Sequence, residues 1–261
     1  MSTTLIVAPS KADVPAALTS AIVPIAQKSL EERNAFTIAL SGGSLPAFLS
    51  VLPDAFTEAQ VEPCWDKWHV LLADERCVPI TDGDSNLGSI QAKFLSKVGI
   101  PESQIYGIDE ALLDGSTEAI AEDYEGKLKT ALGNSGGMLD LAVLGFGPDG
   151  HTCSLFVGHA LLKEDTKWVA AIEDSPKPPP KRITLTYPVL NDKTRSTIVC
   201  GAGSSKQPII KAVFEGYEAG TEENTYKATF VKPAPYPCSA VSTASLTWIV
   251  DQDAVEGIDL A

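Results

Sequence analysis

At 261 residues the chain has room for one large domain or two small ones, and its 44% hydrophobic content supplies a sizeable core and excludes a disordered polymer. With 34 acidic against 20 basic residues, a formal charge of −14 and no Lys/Arg run, it argues against nucleic acid or an anionic membrane as partner. The 5 cysteines are odd in number and form no CxxC pair, so they read as reduced thiols of an intracellular protein, not as a disulfide frame or a zinc site.

The apolar run at the start is too short for a signal peptide, and no stretch approaches the roughly 18 apolar residues that span a bilayer, so the cytosol is the expected location. Strand-like and helix-like segments alternate along the chain. This predicts an α/β fold with a doubly wound, mostly parallel sheet and helices on both faces, a Rossmann-like three-layer arrangement forming a single domain over 1–261. The first strand is expected at 4–8 and the first helix at 12–33, with Ser10 as its N-cap.

A strand at 36–40 runs into Ser41-Gly42-Gly43-Ser44-Leu45-Pro46 and a helix at 45–51. The glycines expose backbone N–H groups, the serine hydroxyls add donors, and Pro46 is tolerated in a first helical turn. Such a loop suits a phosphate. It lacks the lysine and spacing of a Walker A motif and is not GxGxxG, so no nucleotide is implied. On this segment alone, an ordinary glycine turn with a serine cap explains it equally well.

The next strand, 69–73, ends on Asp74, Glu75 and Arg76, which should emerge at the same sheet edge as the SGGS loop. A surface salt-bridge cluster is the commoner fate of such a triplet. Arg76 offers a planar fork for a phosphate or a developing oxyanion. Helices follow at 85–97, where Ser85 and Asn86 extend the pocket, and at 117–132.

The strand at 139–144 enters the segment DLAVLGFGPDGHTCSLF. Its apolar run predicts burial on both faces of a parallel sheet, and ligands bind beyond the carboxyl ends of such strands. The glycine loop delivers His151 there, with Asp149 placed to orient the imidazole, so His151 is a candidate general base. Of the other two histidines, His69 reads as a core or strand-edge residue and His159 as a flank of the site. Cys153 is too close along the loop to meet His151 in attack geometry, and reads as a packing residue.

Further strands are expected at 168–172, 183–186, 197–200 and 246–250, with a helix at 205–214. The proline-rich piece 175–180 reads as a stiff exposed connection. Arg182 stands at the entrance of a strand, and Lys206, after Gly201-Ala202-Gly203, lies about one turn into a helix. Both are candidate cations for a bound anion.

Taken in order, SGGSLP, ADERCVP, LAVLGFGPDGHTCSLF, PPPKRITLT and GAGSSK make the chain resemble the 6-phosphogluconolactonase family over roughly residues 5–250. The resemblance implies hydrolysis of a phosphorylated sugar lactone, 6-phosphoglucono-1,5-lactone, in the oxidative pentose phosphate pathway, with neither metal nor organic cofactor. By the same resemblance the catalytic histidine is His151, the phosphate loop Ser41–Ser44, the arginine of the DER motif Arg76, and the late cations Arg182 and Lys206. The family usually carries Ala at Cys153 and Pro at Val157, and both read as packing positions.

The expected catalytic group is therefore His151, Asp149 and Arg76. The expected substrate-binding group is Ser41, Gly42, Gly43, Ser44, Asp74, Arg182 and Lys206, in a protein whose default state is a monomer. Two alternatives stay open: a glucosamine-6-phosphate deaminase/isomerase, which shares the fold family, and a sugar-phosphate-binding module without turnover. No acid follows His151 before Glu164, which favours the hydrolase, since an aldose-ketose shuttle needs several carboxylates.

Overall fold

The computed structural model describes residues 2–260; Met1 and Ala261, the two ends of the expected 1–261 domain, lie outside the described residues. In chain order the main elements are β1 (Ser2–Ala8), α1 (Val14–Arg33), β2 (Phe36–Leu40), α2 (Leu45–Phe48), α3 (Leu52–Glu58), β3 (Trp68–Leu72), β4 (Asp74–Arg76), α4 (Asn86–Lys93) and α5 (Thr117–Gly133). They continue with β5 (Leu139–Gly145), β6 (Val169–Ile172), β7 (Arg182–Leu185), α6 (Tyr187–Asp192), β8 (Thr194–Cys200), α7 (Gln207–Val213), β9 (Phe214–Ala219), β10 (Thr225–Phe230) and β11 (Ser245–Asp251).

The central sheet has 8 strands in the order β3-β2-β5-β8-β11-β1-β10-β9. From β3 to β1 the neighbours run parallel, while β10 and β9 add an antiparallel edge. Residues of β5 are buried along its length up to Gly145, as the apolar run from Leu141 to Leu144 predicts for a strand covered on both faces. In β1 and β11 the two-residue side-chain period sorts residues between the faces. Leu5, Val7, Trp248 and Val250 pack with Ile209, Ile210 and Val213 of α7, whereas Ala8 and Ile249 join Val14, Leu18 and Ile22 of α1. Helices therefore cover both faces of the sheet, and the expected three-layer α/β arrangement is borne out.

The strands expected at 168–172 and 183–186 do not extend this sheet. They form β6 and β7 of a separate antiparallel sheet, in the order β4-β7-β6. The hinge is Ala73, whose N–H donates to the Leu40 carbonyl of the large sheet at 2.8 Å and whose carbonyl accepts from Leu185 N of the small one at 2.9 Å. Asp74, Glu75 and Arg76 thus belong to the second sheet, which stands over the carboxyl edge of the first.

The hairpin of β9 and β10 was not expected, because Phe214 reads as a helix end; its sequence signal is the alternation in TYKATF after the polar turn at 220–224. The first helix begins at Val14, with Pro15 in its first turn; Ser10 donates to Asp13 at 2.7 Å instead of capping the helix. Among the described residues no helix is long and apolar enough to cross a membrane.

Candidate active site

Parallel strands β2, β5, β8 and β11 all point their carboxyl ends to one edge, and hydrogen bonds continue the ladder past them. Ser41 N donates to Val143 O at 3.0 Å, and Gly201 N to Ile249 O at 3.1 Å. The SGGS, GFGPDGH and GAGSSK loops are thereby fixed side by side. Asp251, fully buried at the end of β11, accepts from Gly203 N with both carboxylate oxygens, at 2.8 and 3.0 Å, and so holds the third loop in shape. Between the loops and the small sheet lies a cavity of about 220 Å³. Its walls include Ser41, Gly42, Gly43, Ser44, Asp74, Arg76, His151, Arg182 and Lys206. Of the ten residues nominated from sequence, only Asp149 stands back from the wall, behind His151.

Gly42 must be glycine because of its neighbour: a Cβ there would meet Asn86 Oδ1 at 1.8 Å. Asn86 is held in turn by Asp74, donating to its carbonyl at 2.8 Å, and Asp74 accepts from Ser154 Oγ at 2.8 Å. The start of α4 is fixed by Glu75. Its buried carboxylate accepts the N–H groups of Asn86 and Leu87, each at 2.8 Å, and that of Arg76, also at 2.8 Å. Burial raises the Glu75 pKa in spite of these donors. Glu75 is therefore a helix staple, not a ligand-facing acid. The helix after the SGGS loop, α2, has only 4 residues, so its dipole is small and the loop's own donors matter more. Ser41 is 5% exposed, and its Oγ has no hydrogen-bond partner among the described residues.

In the β5 loop, Gly147 N donates to His151 O at 2.8 Å and closes a tight turn. A Cβ on Gly147 would meet His151 Nδ1 at 2.1 Å and Asp149 Oδ1 at 2.3 Å, so glycine lets the pair form. His151 Nδ1 lies 2.5 Å from Asp149 Oδ1, and the ring stacks on Phe156 with centroids 4.9 Å apart. A carboxylate at Nδ1 fixes the tautomer with Nδ1–H, leaving the Nε2 lone pair available as a base. Burial drives the His151 pKa below the ordinary 6.5, Asp149 opposes the fall, and Lys177 adds to it. Burial alone would raise the Asp149 carboxyl, but hydrogen bonds from His151 and Lys177 outweigh it and hold its pKa down at about 2.

Two of the cavity's cations are paired across the small sheet. Arg76 and Arg182 are direct cross-strand partners in the β4/β7 ladder, a like-charge pairing that costs stability unless an anion lies nearby. Arg76 Nη1 donates to Asp84 O at 2.6 Å, while its buried Nε has no partner among the described residues. Arg182 is 3% exposed and donates to the carbonyls of Lys177, Pro178 and Pro179, each at 2.9 Å. Lys206 closes the 3-10 turn Ser204–Lys206 that runs into α7, about one turn past its start as expected; its ammonium hydrogen-bonds the Phe146 carbonyl and lies 5.0 Å from the Phe146 ring centroid. Its pKa is lowered, chiefly by burial and secondarily by Lys177.

Several sequence readings are relocated. His159 does not line the cavity: Nε2 pairs with Asp174 at 2.9 Å, and Nδ1 accepts from Leu161 N to cap a turn. His69 pairs with the Tyr106 hydroxyl at 3.1 Å on β3, as a strand-edge residue would. The Cys153 thiol is buried, and burial raises its pKa well above the ordinary range, the opposite of an activated nucleophile. Val157 is not a packing position, being 54% exposed. The proline-rich connection is fastened onto the site by Arg182, and it carries a residue that sequence reasoning passed over. Lys177 Nζ lies 3.1 Å from Asp149 Oδ1 and 3.1 Å from His151 Nδ1. Only its place six residues before the ITLT strand, on the loop that leads to Arg182, could have signalled it.

Comparison with known proteins places the chain in a family. Residues 9–248 match the family model described as glucosamine-6-phosphate isomerases/6-phosphogluconolactonase. The chain belongs to that family. A 6-phosphogluconolactonase from Rattus norvegicus is 40% identical over 94% of this chain and 90% of its own length. The Homo sapiens 6-phosphogluconolactonase is 42% identical over 85% of this chain and 80% of its own. Among solved structures, the 6-phosphogluconolactonase from Trypanosoma cruzi superposes with a TM-score of 0.76 at 25% identity, covering 98% of this chain and 97% of that one. Relatives that bear the name 6-phosphogluconolactonase thus match nearly the whole chain.

Proposed function

We propose that this chain hydrolyses 6-phospho-D-glucono-1,5-lactone to 6-phosphogluconate, in the oxidative pentose phosphate pathway, as a single-domain cytosolic monomer without metal or organic cofactor. One observation carries the reading: a histidine whose Nε2 is left free by the Nδ1–Asp149 contact lines the same cavity as the SGGS donors and a cluster of Arg76, Arg182 and Lys206. In a chain of charge −14, such a cluster is suited to a local anionic ligand.

The 6-phosphate is held by the N–H and hydroxyl groups of Ser41–Ser44 with Lys206, while Arg182 adds charge from the wall. Anchoring this distant group places C1 of the lactone near His151 and turns binding energy into orientation. Neutral His151 removes a proton from the attacking water through Nε2. Asp149 steadies the imidazolium that forms. Arg76 stabilises the tetrahedral oxyanion, and the imidazolium returns the proton to the departing ring oxygen as the C1–O bond breaks. Asp74, fixed by Ser154 and Asn86, accepts from sugar hydroxyls.

The acid-poor wall supports hydrolysis over isomerisation. Glu164, the first acid after His151, binds Thr166 and Lys167 and does not line the cavity. The test is to add freshly prepared lactone and follow acid release above the spontaneous rate. No excess release would sink the proposal, and ammonia release from glucosamine 6-phosphate would replace it with the deaminase.

A further inference from the structure

We propose that Lys177 is a positioning residue for His151, acting through Asp149 from the loop between β6 and β7. Its ammonium reaches Asp149 Oδ1 and Oδ2, both at 3.1 Å, and lies 3.1 Å from His151 Nδ1. A lysine ammonium can donate to Nδ1 only if that nitrogen carries no proton, which is the tautomer that blocks Nε2 as a base. In the productive tautomer Nδ1–H donates to Asp149, and Lys177 must donate to Asp149 as well. The carboxylate is then held by two donors at a fixed angle, with His151 on one side and Lys177 on the other.

The loop that carries Lys177 is not free to wander. Arg182 binds the carbonyls of Lys177, Pro178 and Pro179, and Ser175 Oγ donates to Lys177 O at 2.8 Å. Arg182 also lies 5.7 Å from the centroid of Phe156, on which His151 stacks. One buried guanidinium therefore fastens both the lysine's backbone and the aromatic plate under the imidazole. This assigns Arg182 a role in site geometry beyond its charge.

The charged groups that act on His151 are Asp149 and Lys177 on its Nδ1 side and Asp74 across the cavity. Lys206 in turn feels the charges of Lys177 and Asp149. Removing the Lys177 charge takes a cation from beside the ring and leaves Asp149 freer to attract a proton to it. Both changes make the imidazole more basic.

The kinetic arm of the test rests on the lactonase reading; the titration arm does not. The 3 histidines give few enough imidazole signals for His151 to be followed by NMR in the ligand-free protein. In Lys177→Met the His151 pKa should rise by about 0.5–1 unit. The acid limb of kcat should move up with it, and plateau kcat should fall by about tenfold through lost orientation. KM should stay within about twofold, because Lys177 does not line the cavity. Lys177→Arg should restore both the titration and the rate, and Lys177→Gln serves should the Met variant fail to fold. An unmoved His151 pKa would overturn the inference, as would a large rise in KM at unchanged kcat, which would make Lys177 a substrate ligand. If the wild type turns over no lactone, the functional reading fails and the NMR shift still decides this one.

Discussion

His151 has its basicity set by opposing neighbours, and the sign of its pH dependence follows. The neutral ring is the active form, and burial lowers its pKa, so the ring stays neutral to a lower pH than an unperturbed imidazole would. The acid limb of kcat/KM should therefore have its midpoint below 6.5, lower than an unperturbed histidine would give; a midpoint at or above that value would contradict the assignment. The same shifts act on stability. A base with a depressed pKa favours the folded state above its unfolded value, and that contribution is lost as pH falls from 6.5 toward the folded pKa. For Asp149 the loss comes later, between 3.8 and about 2. Replacing His151 by Ala should cut kcat by about a hundredfold or more while binding of 6-phosphogluconate, measured by calorimetry, is largely kept. Unchanged turnover would remove it from the base role.

At the scale of elements, the SGGS loop and α4 form one unit through Gly42 and Asn86. Gly42→Ala drives a methyl into the Asn86 amide, so the loop must shift and KM should rise. Adding Asn86→Ala should recover part of that loss, and a double variant no better than additive would show the two do not communicate. The parallel core was legible in the sequence because buried strands such as 139–144 read as mostly apolar runs that lead into glycine and serine loops. The second sheet was not. Its strands β6 and β7 carry the same apolar signal as central ones, and what separates them is the turn at Ala73, where no glycine or proline marks the break. The site residues were legible because each sits at a strand end in a recognisable loop. Lys177 was hidden because its loop reads as a solvent-exposed proline run, and only the fold brings it to Asp149.

For the molecule as a whole, both apolar clusters pack on one continuous sheet, with β1 and β11 contributing to each. Unfolding should be a single cooperative event. Fluorescence from Trp68 and Trp248, which lie in different clusters, should lose intensity at the same denaturant midpoint when each is retained as the sole tryptophan. Separate midpoints would divide the chain into two folding units. Ligand should raise the transition: 6-phosphogluconate at 100 times its Kd contributes about 2.7 kcal/mol. For a chain of this size that corresponds to roughly 5–10 °C in Tm, measured by calorimetry. The cross-strand register of Arg76 and Arg182 extends this to simpler solutes. Since those two guanidiniums repel each other, any small dianion that settles between them relieves a cost built into the backbone pairing. The protein's melting point should therefore depend on its buffer, higher in phosphate or sulfate than in a zwitterionic medium of equal ionic strength, and storage conditions would double as an occupancy gauge for the site.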